Sequence, residues 1–451
     1  MKRQGVGLWG ALLGLVFLAL AAVPGPSEAQ TGPAAGEARP EAGQEEPNLG
    51  PAPELKDYLT YAALANTGLK AAFLRWKAAL EKIPQVKALP DPRFTYAFYI
   101  RRVETRVGPQ RHSFALAQTF PWFGTLKLRG DAASSAAEAE RARYEAAKLA
   151  LFYEVKKAFY EYSYLARAVE ISRENLGLLK YLEKVAEIRY SSGTATHHDL
   201  VRAQVERARL EDRLATQLDL RQPVAARLNS ALGRPAGEPL PWPQDPPEIK
   251  LGVAEEEILA RLQEDNPDLL VLDHLASREE SNLELARKRR LPDLTLGLQY
   301  IETGPAVMPL AEDNGKDPVI ASLSLTLPLW AGSYRAQEQE AVIRGKAFRN
   351  QREDLRHRLL ASAKLALYNY KDAVRKIDLY RHVLIPKAQE NIQVSLQGYQ
   401  AGEARFLDLI DSARTQLELE LILERAMADR GESLAELEKL AGRELAEEVN
   451  Q

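Results

Sequence analysis

The chain has 451 residues, 60 Lys and Arg against 63 Asp and Glu, a formal net charge of −3, and no cysteine. Near balance of charge excludes a strong field for nucleic acid. The missing thiol excludes disulfides, thiolate metal sites, cysteine catalysis and a lipid anchor on an N-terminal cysteine.

Lys2 and Arg3 precede a mostly apolar run from Leu8 to Ala22, and Ser27-Glu28-Ala29 is a small-x-small cleavage pattern. Residues 1–29 therefore read as a secretory signal peptide; the run is short for a membrane anchor and stops at Pro24. Its removal leaves 58 basic and 62 acidic residues. Residues 30–53, rich in Pro, Gly, Ala and Glu, read as a flexible leader. No second apolar run is long enough to span a bilayer as a helix, so any insertion must use strands.

From about Lys56 to Ala88 the pattern is helical, with an interruption expected at Pro84. The period then changes to two: Phe94, Tyr96, Phe98 and Ile100 share one face of a first strand. A polar loop around Gly108-Pro109 leads to a second strand from Ser113 to Phe120. Thr125 to Tyr190 reads as one helix, roughly 100 Å long at 1.5 Å per residue. A return helix from about Thr194 to Leu232 follows, then a Pro-rich linker.

The plan then repeats. Asn266-Pro267-Asp268-Leu269 answers Asn66-Thr67-Gly68-Leu69, and Leu291-Pro292-Asp293 answers Leu89-Pro90-Asp91. Leu294, Leu296, Leu298 and Tyr300 alternate on a third strand; Val319, Ala321, Leu323, Leu325 and Leu327 do so on a fourth. A second long helix is expected from Ser333 to Tyr399, and its return arm ends at Leu440-Ala441-Gly442-Arg443, matching Ala231-Leu232-Gly233-Arg234. The organisation is thus a first structural repeat over 54–232, a linker over 233–250, a second repeat over 251–443 and a tail over 444–451. Alanine pairs such as Ala132-Ala133 and Ala136-Ala137 suit close packing of the long helix against two shorter ones stacked end to end.

The hairpin tips are the most motif-like feature. Tyr190, Gly193, Asp199 and Leu200 recur as Tyr399, Gly402, Asp408 and Leu409, each 209 residues on. The glycine suits a left-handed helix end, and a short polar stretch turns the chain back. The four strands have the length of membrane-spanning strands, with an apolar, aromatic face and a Ser, Thr, Gly and Gln face. Four strands cannot close a barrel, and open edges are not tolerated in lipid, so chains must combine. The fold class expected is mainly α, with four transmembrane β-strands and internally duplicated long helical hairpins.

With its duplication, strand pairs and two tip motifs, nearly the whole chain resembles the TolC-like outer-membrane efflux proteins. The resemblance implies a homotrimer with a twelve-stranded barrel in outer-membrane lipid and a periplasmic α-barrel tunnel below it. It also implies docking of the tips with a periplasmic adaptor and an inner-membrane pump, to export small molecules, metal ions or proteins. No cofactor, nucleic acid or chemistry of its own is implied, and no catalytic motif of the common classes is present. The rival reading is a non-conducting periplasmic coiled-coil tether, which explains the hairpins but not the four strands.

The resemblance makes the second hairpin the inner one, with Asp408 and Asp411 three apart on its return helix as acidic rings at the entrance. Six carboxylates in a constriction would favour cations and raise some pKa values. The first tip keeps Asp199 but has Arg202 at the second position. A latch between hairpins is implied at Tyr399 and Asp199; the family's latch arginine is replaced by Ala404, with Arg405 displaced by one and His198 beside Asp199. Gly177 and Pro386, each 13 residues before its tip tyrosine, both weaken a helix and are candidate hinges. His197 and His198 are adjacent and point apart on a helix, so no metal site is expected.

Overall fold

The computed structural model describes residues 49–50, 53–246, 248–307 and 312–448. The expected signal peptide and nearly all of the leader lie outside the described residues.

The first repeat opens with α1 (Leu55–Ala65) and α2 (Thr67–Lys87). The break between them falls at Asn66, not at Pro84. Asn66 leaves the helical region at ψ 117° and its side chain accepts from the Leu69 N–H at 3.0 Å, so a new helix starts there. Pro84 lies in the last turn of α2 without ending the helix there, although it has no N–H to give to the Leu80 carbonyl. The Asn66 amide also donates to the Ala231 carbonyl at 3.0 Å, tying the start of the repeat to the end of its return arm. Asn266 repeats both contacts, capping Asp268 at 3.0 Å and donating to Leu440 at 2.9 Å.

Strand β1 is Arg93–Phe98, β2 is Glu104–Thr105 and β3 is Gly108–Phe120, so the loop expected around Gly108-Pro109 is already strand. Helix α3 then runs unbroken from Thr125 to Ser191, 67 residues. The single return helix expected is two, α4 (His197–Asp219) and α5 (Arg221–Leu232). Pro223 has no N–H to give to Asp219, so the ladder lapses at Leu220.

In the second repeat, β4 (Ile249–Leu251), α6 (Glu255–Asp265) and α7 (Pro267–Lys288) lead to β5 (Leu294–Thr303) and β6 (Val319–Leu325). The second long helix is not continuous: α8 (Ala331–Leu379) passes through a π segment, Tyr380–Leu384, into α9 (Ile385–Ala401). The Ile385 N–H reaches back to the Tyr380 carbonyl, which carries the ladder past the position where Pro386 offers no donor. Helix α10 (Phe406–Ala441) returns, and β7 (Ala446–Glu448) closes the described chain. The segments expected as linker and tail pair with each other, Ile249 opposite Glu448 and Lys250 opposite Glu447.

The four long strands form one antiparallel sheet in the order β1-β3-β5-β6, with β2 pairing off β3; the β3–β5 pair joins the two repeats. Register places Phe94 opposite Leu116, Tyr96 opposite Phe114, Phe114 opposite Tyr300 and Leu296 opposite Leu323, all on one apolar face. The other face is polar: Thr119 and Thr295 share a hydroxyl hydrogen bond at 2.9 Å, and Gln299 donates to Ser113 at 2.8 Å. Every residue of β1 and β6 is exposed, and among the described residues each pairs on one side only.

Below the sheet, α3 packs along α2, α4, α5, α7 and α10, while α8 packs along α7 and α10. The upper core holds Tyr58, Phe159, Tyr162, Leu228, Ile258 and Leu437; the lower one, near the tips, holds Leu182, Ala186, Phe406, Leu409 and Ile410. Small residues bring the helices together: a Cβ on Gly431 of α10 would lie 2.4 Å from the Tyr160 ring of α3. Polar links cross the same seam, Lys156 to Glu438 at 2.6 Å, Glu161 to Arg425 at 2.5 Å and Asn175 to Glu420 at 3.1 Å. Among the described residues no helix is long and apolar enough to cross a membrane.

Candidate functional site: the two hairpin tips

The two tips share one backbone. Gly193 and Gly402 adopt φ of 76° and 82°, a region that disfavours a side chain. The Arg189 carbonyl accepts from Thr194 at 2.8 Å and Ala195 at 3.1 Å; the Gly398 carbonyl, 209 residues on, accepts from Glu403 at 2.8 Å and Ala404 at 3.1 Å. These bonds satisfy carbonyls left over at a helix end and fix the turn. An aromatic contact recurs at the same offset: Tyr190 with His197 at 5.3 Å between ring centroids, Tyr399 with Phe406 at 5.1 Å.

Burial separates the copies. Tyr399, Phe406 and Leu409 are buried, whereas Tyr190 is 44% exposed and Leu200 is half-buried. The first tip therefore presents its aromatic pair outward, and the second packs its pair into the lower core.

The acidic residues differ in role. Asp199 completes a capping box: its N–H points to the Thr196 hydroxyl at 3.4 Å and its carboxylate accepts from the Thr196 N–H at 3.3 Å. Position 405 of the second tip has no capping oxygen. There Arg405 holds Asp408, Nε to Oδ2 at 3.1 Å and Nη2 to Oδ1 at 2.9 Å. These hydrogen bonds push the Asp408 carboxyl below the usual carboxylate range. Asp411 lies 3.4 Å from Arg414, which also reaches Glu206 of α4 at 2.8 Å and so bridges the hairpins.

The bond expected between Tyr399 and Asp199 is not made: the Tyr399 hydroxyl is buried and has no hydrogen-bond partner among the described residues. Burial raises its pKa, the Asp199 charge adds to the rise, and Arg189 opposes it. The contact between hairpins comes instead from Arg189, a residue the motif comparison passed over. Its guanidinium donates to the Tyr399 carbonyl, to the Gln400 carbonyl at 2.8 Å and to the Thr194 carbonyl at 3.2 Å. It also lies 4.8 Å from the centre of the Tyr399 ring. The available signal was the mismatch itself, arginine against Gly398 beside an otherwise repeated tyrosine.

The two candidate hinges are unequal. Gly177 lies inside the uninterrupted α3, with open space where a Cβ would be, while Pro386 directly follows the π segment. No group of three or more acidic, His or Cys side chains suited to a metal occurs among the described residues.

The family described as Outer membrane efflux protein matches residues 59–234 and 258–443, one segment carrying each tip. This chain belongs to that family. Outer membrane efflux proteins are channels and not enzymes. The pyoverdine export outer membrane protein OpmQ of Pseudomonas putida is 23% identical over 310 residues, 65% of this chain and 62% of that protein. The chain thus spans less than two thirds of OpmQ. The cobalt-zinc-cadmium resistance protein CzcC of Cupriavidus metallidurans is 20% identical over 393 residues, 86% of this chain and 90% of that one. Among solved structures, the open state of the Neisseria gonorrhoeae MtrE outer membrane channel superposes with a TM-score of 0.69 at 21% identity, covering 87% of this chain and 90% of that one. At that identity the likeness speaks for the shared efflux-protein fold.

Proposed function

We propose that this chain is one subunit of a homotrimeric exit duct, with its strands in the outer membrane and its helical hairpins forming a tunnel in the periplasm. Residues 1–29 are removed on export, and the repeats over 54–232 and 251–443 arose by duplication. Four strands from each of three copies close the barrel. The tips, at Tyr190, Gly193, Asp199, Leu200, Tyr399, Gly402, Asp408 and Leu409, dock with a periplasmic adaptor and an inner-membrane pump.

The sheet carries this reading. Its apolar face is in register across four strands, and among the described residues each edge strand pairs on one side only. In water such a face and such edges invite aggregation; in lipid the edges must be closed by further copies. A tether would need neither. Asp199, Tyr399, Asp408 and Asp411 are assigned to the gate, with Gly177 and Pro386 as hinges on its sheet side. One relative is named for pyoverdine export and another for cobalt, zinc and cadmium resistance, so family membership does not fix the cargo.

The test is conductance of the detergent-purified protein in a planar bilayer, beside Asp408→Ala/Asp411→Ala. Cation-selective openings that lose selectivity in the double variant are expected. Conductance with unchanged selectivity keeps the channel and discards the acidic entrance. A protein that stays soluble without detergent and never inserts returns the tether.

A further inference from the structure

We propose that the four junctions between strand and helix form a cationic collar that binds the headgroups of negatively charged phospholipids on the helix side of the membrane. The inference rests on the reading of the sheet as membrane-inserted.

Topology brings the four junctions to one end of the sheet. Helices α2 and α7 lead into β1 and β5, and β3 and β6 lead out into α3 and α8. Hydrogen bonds lace the junctions together. The Trp122 N–H donates to the Asp293 carboxylate at 3.0 Å, the Thr326 N–H to the Asp293 carbonyl at 3.1 Å, and the Gln118 amide to the Pro90 carbonyl at 2.8 Å. The 10 residues of β5 rise about 25 Å at about 3.3 Å each and a tilt of about 40°, the height of a barrel's apolar band. The junctions therefore fall at the level of the headgroups. There the apolar surface continues as Phe123, Leu327, Leu329 and Trp330, which are 69–83% exposed. Side chains of this kind anchor a protein at the boundary between lipid and water.

Charge gathers at the same level. Residues 87–93, 121–131, 287–293 and 326–338 carry nine Lys and Arg against four Asp and Glu, in a chain whose net charge is −3. Arg287 pairs with Glu284 and Arg290 with Glu338. Lys87, Arg93, Lys127, Arg129, Lys288 and Arg335 have no carboxylate partner among the described residues. Two glycines of α3 let lysines from other helices approach. A Cβ at Gly124 would lie 3.3 Å from the Lys288 Cε, and one at Gly130 would collide with the Lys87 stem. Like charges held close together repel unless an anion lies among them. A soluble anion would answer the charge alone. An anionic phospholipid answers both features, its phosphate meeting the Lys and Arg and its acyl chains the ledge of Leu329 and Trp330.

The experiment reconstitutes the full-length protein in bilayers of phosphatidylcholine mixed with phosphatidylglycerol, one of the two carrying brominated chains. Quenching of tryptophan emission reads which lipid sits beside Trp122 and Trp330, and Trp330→Phe assigns the signal to the collar. One basic residue near an anionic surface is worth about fivefold in lipid partition. Wild type is therefore expected to prefer phosphatidylglycerol by about fivefold or more, and to lose the preference in high salt. Lys127→Gln/Arg129→Gln/Lys288→Gln should bring the ratio near one, while Arg101→Gln/Arg102→Gln, at the other end of the sheet, should leave it unchanged. Equal quenching by the two lipids in wild type overturns the collar, as does a preference that survives in the triple variant. Should the triple variant not fold, Lys288→Gln/Arg335→Gln takes its place under the same criteria. Insertion without lipid preference removes the collar and keeps the duct; a protein that never inserts removes both.

Discussion

Arg405 and Asp408 form a two-point ion pair across the first turn of α10, with nitrogen–oxygen distances of 3.1 and 2.9 Å. The pair half-neutralises an acid that the motif alone presents as a bare charge. Arg405→Gln is expected to free the carboxylate and strengthen cation selectivity, measured as reversal potential in a salt gradient. The depressed pKa sets the pH window. Selectivity due to Asp408 holds above the ordinary aspartate value of about 3.9 and is lost as pH falls through the lower folded value. In Arg405→Gln the loss should begin at higher pH. Identical titrations in both proteins would remove Asp408 from the pore.

Lys156 and Glu438 are paired at 2.6 Å with both side chains largely buried, and the Glu438 carboxylate also accepts from the Leu445 N–H at 3.1 Å. Glu438→Gln strands a buried ammonium and should cost about 3–5 kcal/mol in denaturant unfolding. The double change Lys156→Met/Glu438→Leu should recover most of it, since an apolar pair carries no desolvation penalty.

Two glycines in long helices should respond with opposite sign. A Cβ at Gly431 collides with the Tyr160 ring, so Gly431→Ala should destabilise by about 1–3 kcal/mol. A Cβ at Gly177 meets nothing, so Gly177→Ala should stabilise by about 0.5–1 kcal/mol. Paired thermal melts read both.

Pro386 stands where the second long helix departs from α geometry, immediately after Tyr380–Leu384. Pro386→Ala restores a donor and should stiffen the arm, lowering open probability in planar bilayers several-fold. Unchanged opening would leave the π segment as a fixed kink.

Much of the fold was legible because it rests on local backbone chemistry. Alternation in Phe94-Thr95-Tyr96-Ala97-Phe98 gave a strand, and the Tyr–Gly spacing placed both tips at glycines with positive φ. Two local signals were legible and overlooked: Thr196-x-x-Asp199 is a capping-box pattern, and Pro223 forecasts the break in the return arm.

Amino-acid order alone determined the strands and the turning points, since propensity, period and glycine conformation act within a few residues. Only the tertiary structure decided which distant groups meet. Ile249 pairs with Glu448, Arg189 reaches across to Tyr399, and the Tyr399 hydroxyl is left without the Asp199 bond its motif suggested. Such contacts depend on how long helices are rotated and offset against one another. A small shift in either, accumulated along α3, changes which side chain arrives at the tip.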